Sequence, residues 1–140
     1  MAFTSVQKIR FDDVDGAGIV YYPQFFHLCH AAFEDFFDSA APVSYPELVR
    51  DRRLGFPTVA IESSFSAPLI YGDVAVVELT VHRMGKTSVT LGYEIHRKLD
   101  GAFCFQARVT TVLVSIDTMK PVLLRDEFRE LFQRLLNKKK

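Results

Sequence analysis

Residues Pro23 to Ala40 constrain the fold more than any other segment. At roughly 100° per residue, Phe25, Phe26, Leu28, Cys29, Ala32, Phe33, Phe36, Phe37 and Ala40 fill about half of a helical wheel. Gln24, His27, His30, Glu34, Asp35 and Asp38 fill most of the rest. Pro23 suits the first helical position, where its missing N–H leaves no bond unmade, and Pro42 is expected to stop the helix. An apolar stripe this wide, with five Phe in it, needs a surface as large as a sheet to cover it.

The chain supplies that sheet. From Phe56 onward the apolar period changes to two: Val59, Ile61, Ser63, Phe65 and Ala67 share one face, and Ala75, Val77, Leu79 and Val81 share the next. Gly85-Lys86 reads as a hairpin turn before the alternating strand with Val89, Leu91, Tyr93 and Ile95. Asp100-Gly101 is the strongest hairpin signal. The strand after it, Ala102 to Ile116, switches its apolar face from Phe103, Phe105 and Val109 to Val112, Val114 and Ile116, which predicts a bulge near Thr110-Thr111. A further strand fits Phe3 to Phe11. Short helices fit Tyr45 to Arg53, begun by Ser44 and Pro46, and Glu127 to Leu136, capped by Asp126. Segregated elements in this order predict one α+β domain over residues 1–140, its antiparallel sheet wrapped around the Phe-rich helix.

Composition removes several function classes. A chain of 140 residues holds one core. Lys plus Arg equals Asp plus Glu at 17 each, so no basic surplus exists to displace counterions from nucleic acid. No apolar run reaches the roughly 18 residues that a membrane-spanning helix needs. Cys29 and Cys104 sit in apolar surroundings and read as buried thiols in a reducing compartment. The first residues lack a charged segment followed by an apolar one, so a cytoplasmic location is expected. A chain without net charge gains little from self-repulsion and is expected to bury apolar surface in an oligomer. Lys138 to Lys140 read as a solvated tail.

Chemistry concentrates in Phe11-Asp12-Asp13-Val14-Asp15-Gly16-Ala17-Gly18-Ile19-Val20-Tyr21-Tyr22-Pro23. A carboxylate loop lies seven residues upstream of a helix N-terminus. The first helical turn offers unpaired N–H groups and the positive end of the macrodipole, which can polarise a carbonyl oxygen. Asp15 would then act on the carbon under attack, as nucleophile or as general base for water. Thioester hydrolysis suits these parts, because a thiolate with a pKa near ~8.5 leaves with little acid help. On spacing alone, Asp13 or Asp15 reads equally as a turn cap.

Asp13-x-Asp15-x-x-Gly18-Ile19-Val20-Tyr21-Tyr22-Pro23 before a long Phe-rich helix resembles the hotdog-fold acyl-CoA thioesterases, in particular the 4-hydroxybenzoyl-CoA thioesterase branch. The Pro68-x-x-Tyr71-Gly72-Asp73 turn is similar to that family's as well, and the likeness in element order runs from about Val6 to Ile116. The resemblance implies a hotdog fold. It implies Asp15 as the catalytic carboxylate and the Tyr22 backbone N–H as the donor to the thioester oxygen, with Gly18 and Val20 lining the approach. It implies no cofactor beyond the coenzyme A of the substrate, active sites shared across a homodimer, and further assembly into tetramers. The Tol-Pal-associated branch carries His where this chain has Tyr22. The hydroxybenzoyl-CoA branch carries an Asp on the helix where this chain has His30, so the acyl group is expected to differ.

Other candidates carry two readings each. His30, at the edge of the apolar stripe, is either a core or interface histidine or a pocket-lining residue. Arg83 and Lys86 could hold the phosphates of coenzyme A or be ordinary surface charges, and so could Arg50, Arg52 and Arg53. Gly85-Lys86-Thr87 fails as a P-loop, since Thr80 stands where the first Gly is needed. Ser63-Ser64 lacks a nucleophile elbow. His27, Cys29 and His30 diverge around the helix and do not make a metal site. Two rivals to the thioesterase reading are a hotdog hydratase or dehydratase using His30, and a non-catalytic acyl-CoA-binding subunit.

Overall fold

Five antiparallel strands cover one side of the Phe-rich helix, as the patterning demands. The computed structural model describes residues 2–40 and 43–136; the expected stop at Pro42 and the Lys138–Lys140 tail lie outside the described residues. In chain order the elements are β1 (Phe3–Lys8), α1 (Tyr22–Ala40), α2 (Tyr45–Arg50), β2 (Leu54–Gly55), β3 (Thr58–Phe65), β4 (Val74–Met84), β5 (Ser88–Arg97), β6 (Phe103–Val112), β7 (Val114–Ser115) and α3 (Asp126–Gln133). The main sheet has the order β1-β4-β5-β6-β3, and β2 pairs separately with β7. This is the α+β hotdog arrangement.

The helix stripe meets the inward residues of the sheet. Phe25, Leu28, Cys29, Ala32, Phe33, Phe36 and Phe37 are buried against Ala75, Val77, Leu79 and Val81 of β4 and Val89, Leu91, Tyr93 and Ile95 of β5. α3 closes one end of the core through Phe128, Leu131 and Phe132. Phe37, with no exposed surface, is the hub: its ring centroid lies 5.1 Å from Phe33, 5.4 Å from Tyr45 and 6.1 Å from Phe132. Cys29 and Cys104 are buried free thiols. Among the described residues no helix is long and apolar enough to cross a membrane.

Several expected boundaries move, each for a local reason. β1 stops at Lys8 rather than Phe11, because the Ile9 N–H turns to Asp73 O at 2.9 Å and a single 3-10 turn, Phe11–Asp13, follows. α2 ends at Arg50, three residues early, and Arg53 takes a positive φ of 57°. Its start is as expected, with the Glu47 N–H donating to Ser44 Oγ at 3.2 Å. Arg125, in extended conformation, caps α3 instead of Asp126, which becomes the first helical residue. The helix ends at Gln133, although Leu135 is still buried.

The predicted bulge in the long strand is placed differently. The inward face of β6 runs through Phe105, Ala107, Val109 and Thr111 to Leu113 without switching. The irregularity opposite Thr110 and Thr111 belongs to β3, where Val59 is inserted between the Thr58↔Thr111 and Ala60↔Thr110 pairs. β6 carries its own bulge at Cys104, between Ile95↔Phe105 and His96↔Phe103, so Cys104 and Phe105 are buried in succession. After Val112 the chain leaves the main sheet and pairs with β2. That change of partner is why Val114 is buried out of phase.

Phe37→Ala is expected to lower unfolding free energy by about 3–5 kcal/mol, read from the shift in urea midpoint with the slope unchanged.

Candidate active site

Two aspartates two residues apart do different work in the loop before α1. Asp13 is buried. Its Oδ2 accepts the Arg10 N–H at 2.7 Å, its Oδ1 accepts Gln24 Nε2 at 3.0 Å, and its carbonyl accepts the Tyr21 N–H at 3.0 Å. It ties the 3-10 turn to the first turn of α1 and has the turn-capping role weighed for it. Asp15 lies one residue beyond the Val14↔Val20 bridge and is exposed. The Ala17 N–H donates to Asp15 Oδ1 at 2.8 Å, while Oδ2 makes no hydrogen bond among the described residues.

The turn that presents Asp15 is tightly specified. The Asp15 N–H donates to Ile19 O and the Gly18 N–H to Asp15 O, both at 2.9 Å. Gly18 has φ of +83°, the left-handed region that glycine occupies without penalty. A Cβ at Gly18 would meet nothing within 4 Å, so it is the backbone conformation of the turn, not crowding, that calls for glycine here. The loop is anchored to the segment after β3: the Val20 N–H donates to Leu69 O at 2.8 Å, and Ile19 bridges Ile70. That segment is held in turn by Asp73, whose Oδ2 accepts the Ile70 N–H at 2.9 Å, and by Arg97, which donates to Pro68 O at 2.7 Å.

Tyr22 opens α1. Its N–H finds no acceptor among the described residues, and Pro23 has no N–H to offer. Asp15 faces Ile19 across the turn, and three strand steps from Ile19 to Tyr22 cover roughly 10 Å. Beside the Tyr22 amide an apolar groove of about 340 Å³ is lined by Ile19, Val20, Tyr22, Phe25, Phe65 and Pro68.

Farther along the same α1–β3 cleft lies a narrower slot of about 70 Å³, bordered by Phe26, Cys29, His30, Phe33, Ile61 and Tyr93. His30 thus lines this slot at its mouth. Its Nε2 lies 2.9 Å from Glu34 Oε2, and its ring packs on Phe33 and Tyr45. Burial pushes the Cys29 thiol far above its ordinary range, which leaves it unreactive. Burial, with the nearby Glu34 charge, pushes Tyr45 up to about 12.

The basic candidates are not brought to Asp15 within one chain. β1 ends where Lys8 pairs with Val74, at the loop end of the sheet. Arg83 is nine strand residues farther along β4, about 30 Å away. Lys86 borders a separate groove with Arg125 and Arg129. Arg52 and Arg53 form ion pairs with Glu127 at 3.2 Å and Asp117 at 3.1 Å. Another concavity, about 610 Å³, is on the outer face of the sheet among Glu62, Glu78, Glu94 and Arg108. It is polar and turned away from α1. No cluster of three or more metal-ligating side chains occurs among the described residues. Sequence reasoning passed over Gln24, Phe65 and Tyr93; the one signal for Tyr93 was a hydroxyl among aliphatic residues on the inward face of β5.

These features define a hotdog domain with an apolar cleft beside the first turn of α1 and a carboxylate-bearing turn just before that helix. The chain belongs to the thioesterase-like superfamily, whose sequence profile matches residues 9–132. It is 28% identical over 95 residues to a 1,4-dihydroxy-2-naphthoyl-CoA hydrolase from Nostoc punctiforme (strain ATCC 29133 / PCC 73102), across 68% of this chain and 64%, just under two thirds, of that protein. It is 28% identical over 101 residues to the 4-hydroxybenzoyl-CoA thioesterase of Pseudomonas sp. (strain CBS-3), across 71% of this chain and 72% of that one. The crystal structure of a 1,4-dihydroxy-2-naphthoyl-CoA thioesterase from Synechocystis matches with a TM-score of 0.86 at 26% identity, over 96% of this chain and 98% of that one. These named relatives are thioester hydrolases.

Asp13→Ala strips the Arg10 and Gln24 groups of their acceptor. It is expected to lower stability by about 1–3 kcal/mol, measured as a drop in thermal midpoint.

Proposed function

We propose that the protein hydrolyses acyl-CoA thioesters with an aromatic or short acyl group. The observation that supports this best is an uncommitted helix-first N–H at Tyr22, which borders an apolar groove, together with an uncommitted carboxylate oxygen on Asp15 in the turn whose Ile19 borders the same groove. The Tyr22 N–H donates to the thioester oxygen at ~2.9 Å and stabilises the negative charge that grows there as the carbon becomes tetrahedral. From the other side Asp15 Oδ2 attacks the carbon or takes a proton from an attacking water. The coenzyme A thiolate then leaves; where Asp15 itself attacked, water cleaves the resulting mixed anhydride, which releases the acid and restores the carboxylate. No step calls for a metal or cofactor. A hydratase reading gains no support from the placement of His30, which sits two helical turns, about 12 Å, from Tyr22.

The active unit is proposed to be a dimer joined through β3. All eight residues of this edge strand are exposed, and Val59, Ile61 and Phe65 present apolar side chains there. Nothing blunts the edge with Lys or Pro, the usual protection against pairing. The Ser66 N–H donates to Cys104 O, so by the two-residue period Phe65, Ser63 and Ile61 turn their backbone groups outward. A second copy pairing there would close the open side of the α1–β3 cleft. Arg83 and Lys86 can then serve coenzyme A phosphates only at a site of another subunit, a role that the expected tetramer would give them. The free thiols of Cys29 and Cys104 fit a cytoplasmic location.

Asp15→Asn is expected to cut kcat by about 10²–10⁴-fold with little change in KM, followed as thiol release from a panel of acyl-CoAs. Hydrolysis at the parent rate would falsify the assignment of Asp15. Ser63→Pro removes an outward donor without touching the β6 ladder. Sedimentation equilibrium is expected to move from a multiple of the monomer mass toward the monomer, with activity falling in step.

A further inference from the structure

One polar group in the cleft is explained neither by packing nor by the loop chemistry. Tyr93 stands on the inward face of β5 between Leu91 and Ile95, 4% exposed. Its hydroxyl enters no hydrogen bond with the described residues, although buried phenols ordinarily find a partner. Every side-chain polar atom fully sealed from open space among the described residues does have a partner. The Tyr93 oxygen therefore faces open space, and the opening on that side of the strand is the slot between α1 and β3. Phe would fill the same volume without an unpaired hydroxyl.

Of the other polar groups of the slot, Thr58 is an exposed residue of the edge strand and two more are engaged. Thr111 Oγ1 donates to Val89 O at 3.4 Å, and His30 is held by Glu34. The Cys29 thiol stays protonated and donates weakly. Burial keeps the Tyr93 phenol protonated as well, so it remains a neutral donor. The slot begins at Phe26, one helical turn or ~6 Å along α1 from Tyr22. An aryl group whose carbonyl sat at the Tyr22 amide would lie within about one helical turn of this slot.

We propose that Tyr93 is a specificity-determining residue: its phenol hydrogen-bonds a polar substituent, such as a hydroxyl, at the distal edge of an aromatic acyl group lodged in the slot. This rests on the thioesterase reading above and adds to it the substituent pattern of the substrate. A substrate lacking the substituent leaves the phenol unpaired when the slot is dry, and that penalty produces the discrimination.

The test compares benzoyl-CoA, 4-fluorobenzoyl-CoA, 4-hydroxybenzoyl-CoA and 1,4-dihydroxy-2-naphthoyl-CoA. Wild-type protein is expected to prefer a hydroxylated substrate, with the fluoro compound behaving like benzoyl-CoA. Tyr93→Phe is expected to lower kcat/KM for the preferred hydroxylated substrate by roughly 10- to 100-fold and to leave benzoyl-CoA within about threefold, so that the preference collapses. Equal losses on both classes, no loss on either, or equal wild-type rates for the hydroxy and fluoro compounds overturn the role of Tyr93. A wild type that turns over only aliphatic acyl-CoAs overturns it too and leaves the thioesterase reading standing. A wild type that releases thiol from no acyl-CoA removes both.

Discussion

Covering the aromatic stripe of α1 is the constraint from which the rest of the architecture follows. Each buried Phe contributes on the order of 1.5–3 kcal/mol, so the stripe dictates a sheet broad enough to wrap it. β4, β5 and β6 meet that demand with continuous buried faces that also carry the hydroxyls of Tyr93 and Thr111. β3 does so incompletely, because as the edge strand it has no neighbour beyond it. The consequence is a cleft whose floor is core and whose outer wall is half missing. Binding space and association surface thus arise from the same unfinished coverage.

The loop in front of α1 separates structure from chemistry within three residues. Asp13 spends both carboxylate oxygens on protein donors, which makes it a rivet. Asp15 spends one and keeps the other. The distinction is set by the backbone: the 3-10 turn points Asp13 inward, and the glycine-closed turn at Gly18 points Asp15 outward. Arg97 extends the same framework to the far side, since it clamps Pro68 O while pairing with Asp100 at 2.8 Å. The turn that carries Asp15 is therefore braced by the β5–β6 hairpin as well as by the helix.

Much of this was legible in the residues. The 3.6 period of α1, the two-residue period of β4 and β5, and the Asp100-Gly101 turn each specify their element locally, and the structure has them. What misled was information that is not local. The apparent face switch near Thr110-Thr111 reflected a change of strand partner and a bulge on β3, neither of which leaves a mark on β6 itself. Sequence spacing alone could not separate Asp13 from Asp15, because the difference lies in which donors, such as Gln24, fold back to meet them. The distance between Arg83 and Asp15 follows from register, which only the assembled sheet defines.

The polar outer face of the sheet carries a consequence for assembly. Glu78 stands directly across from Glu94, a like-charge pairing that strands ordinarily avoid. With Glu62 also present, each copy offers three carboxylates and a single guanidinium, Arg108, to anything that stacks there. Two such faces brought together would repel, more strongly in dilute buffer than in concentrated salt. The charge pattern therefore steers any pairing of dimers toward the helix-bearing side.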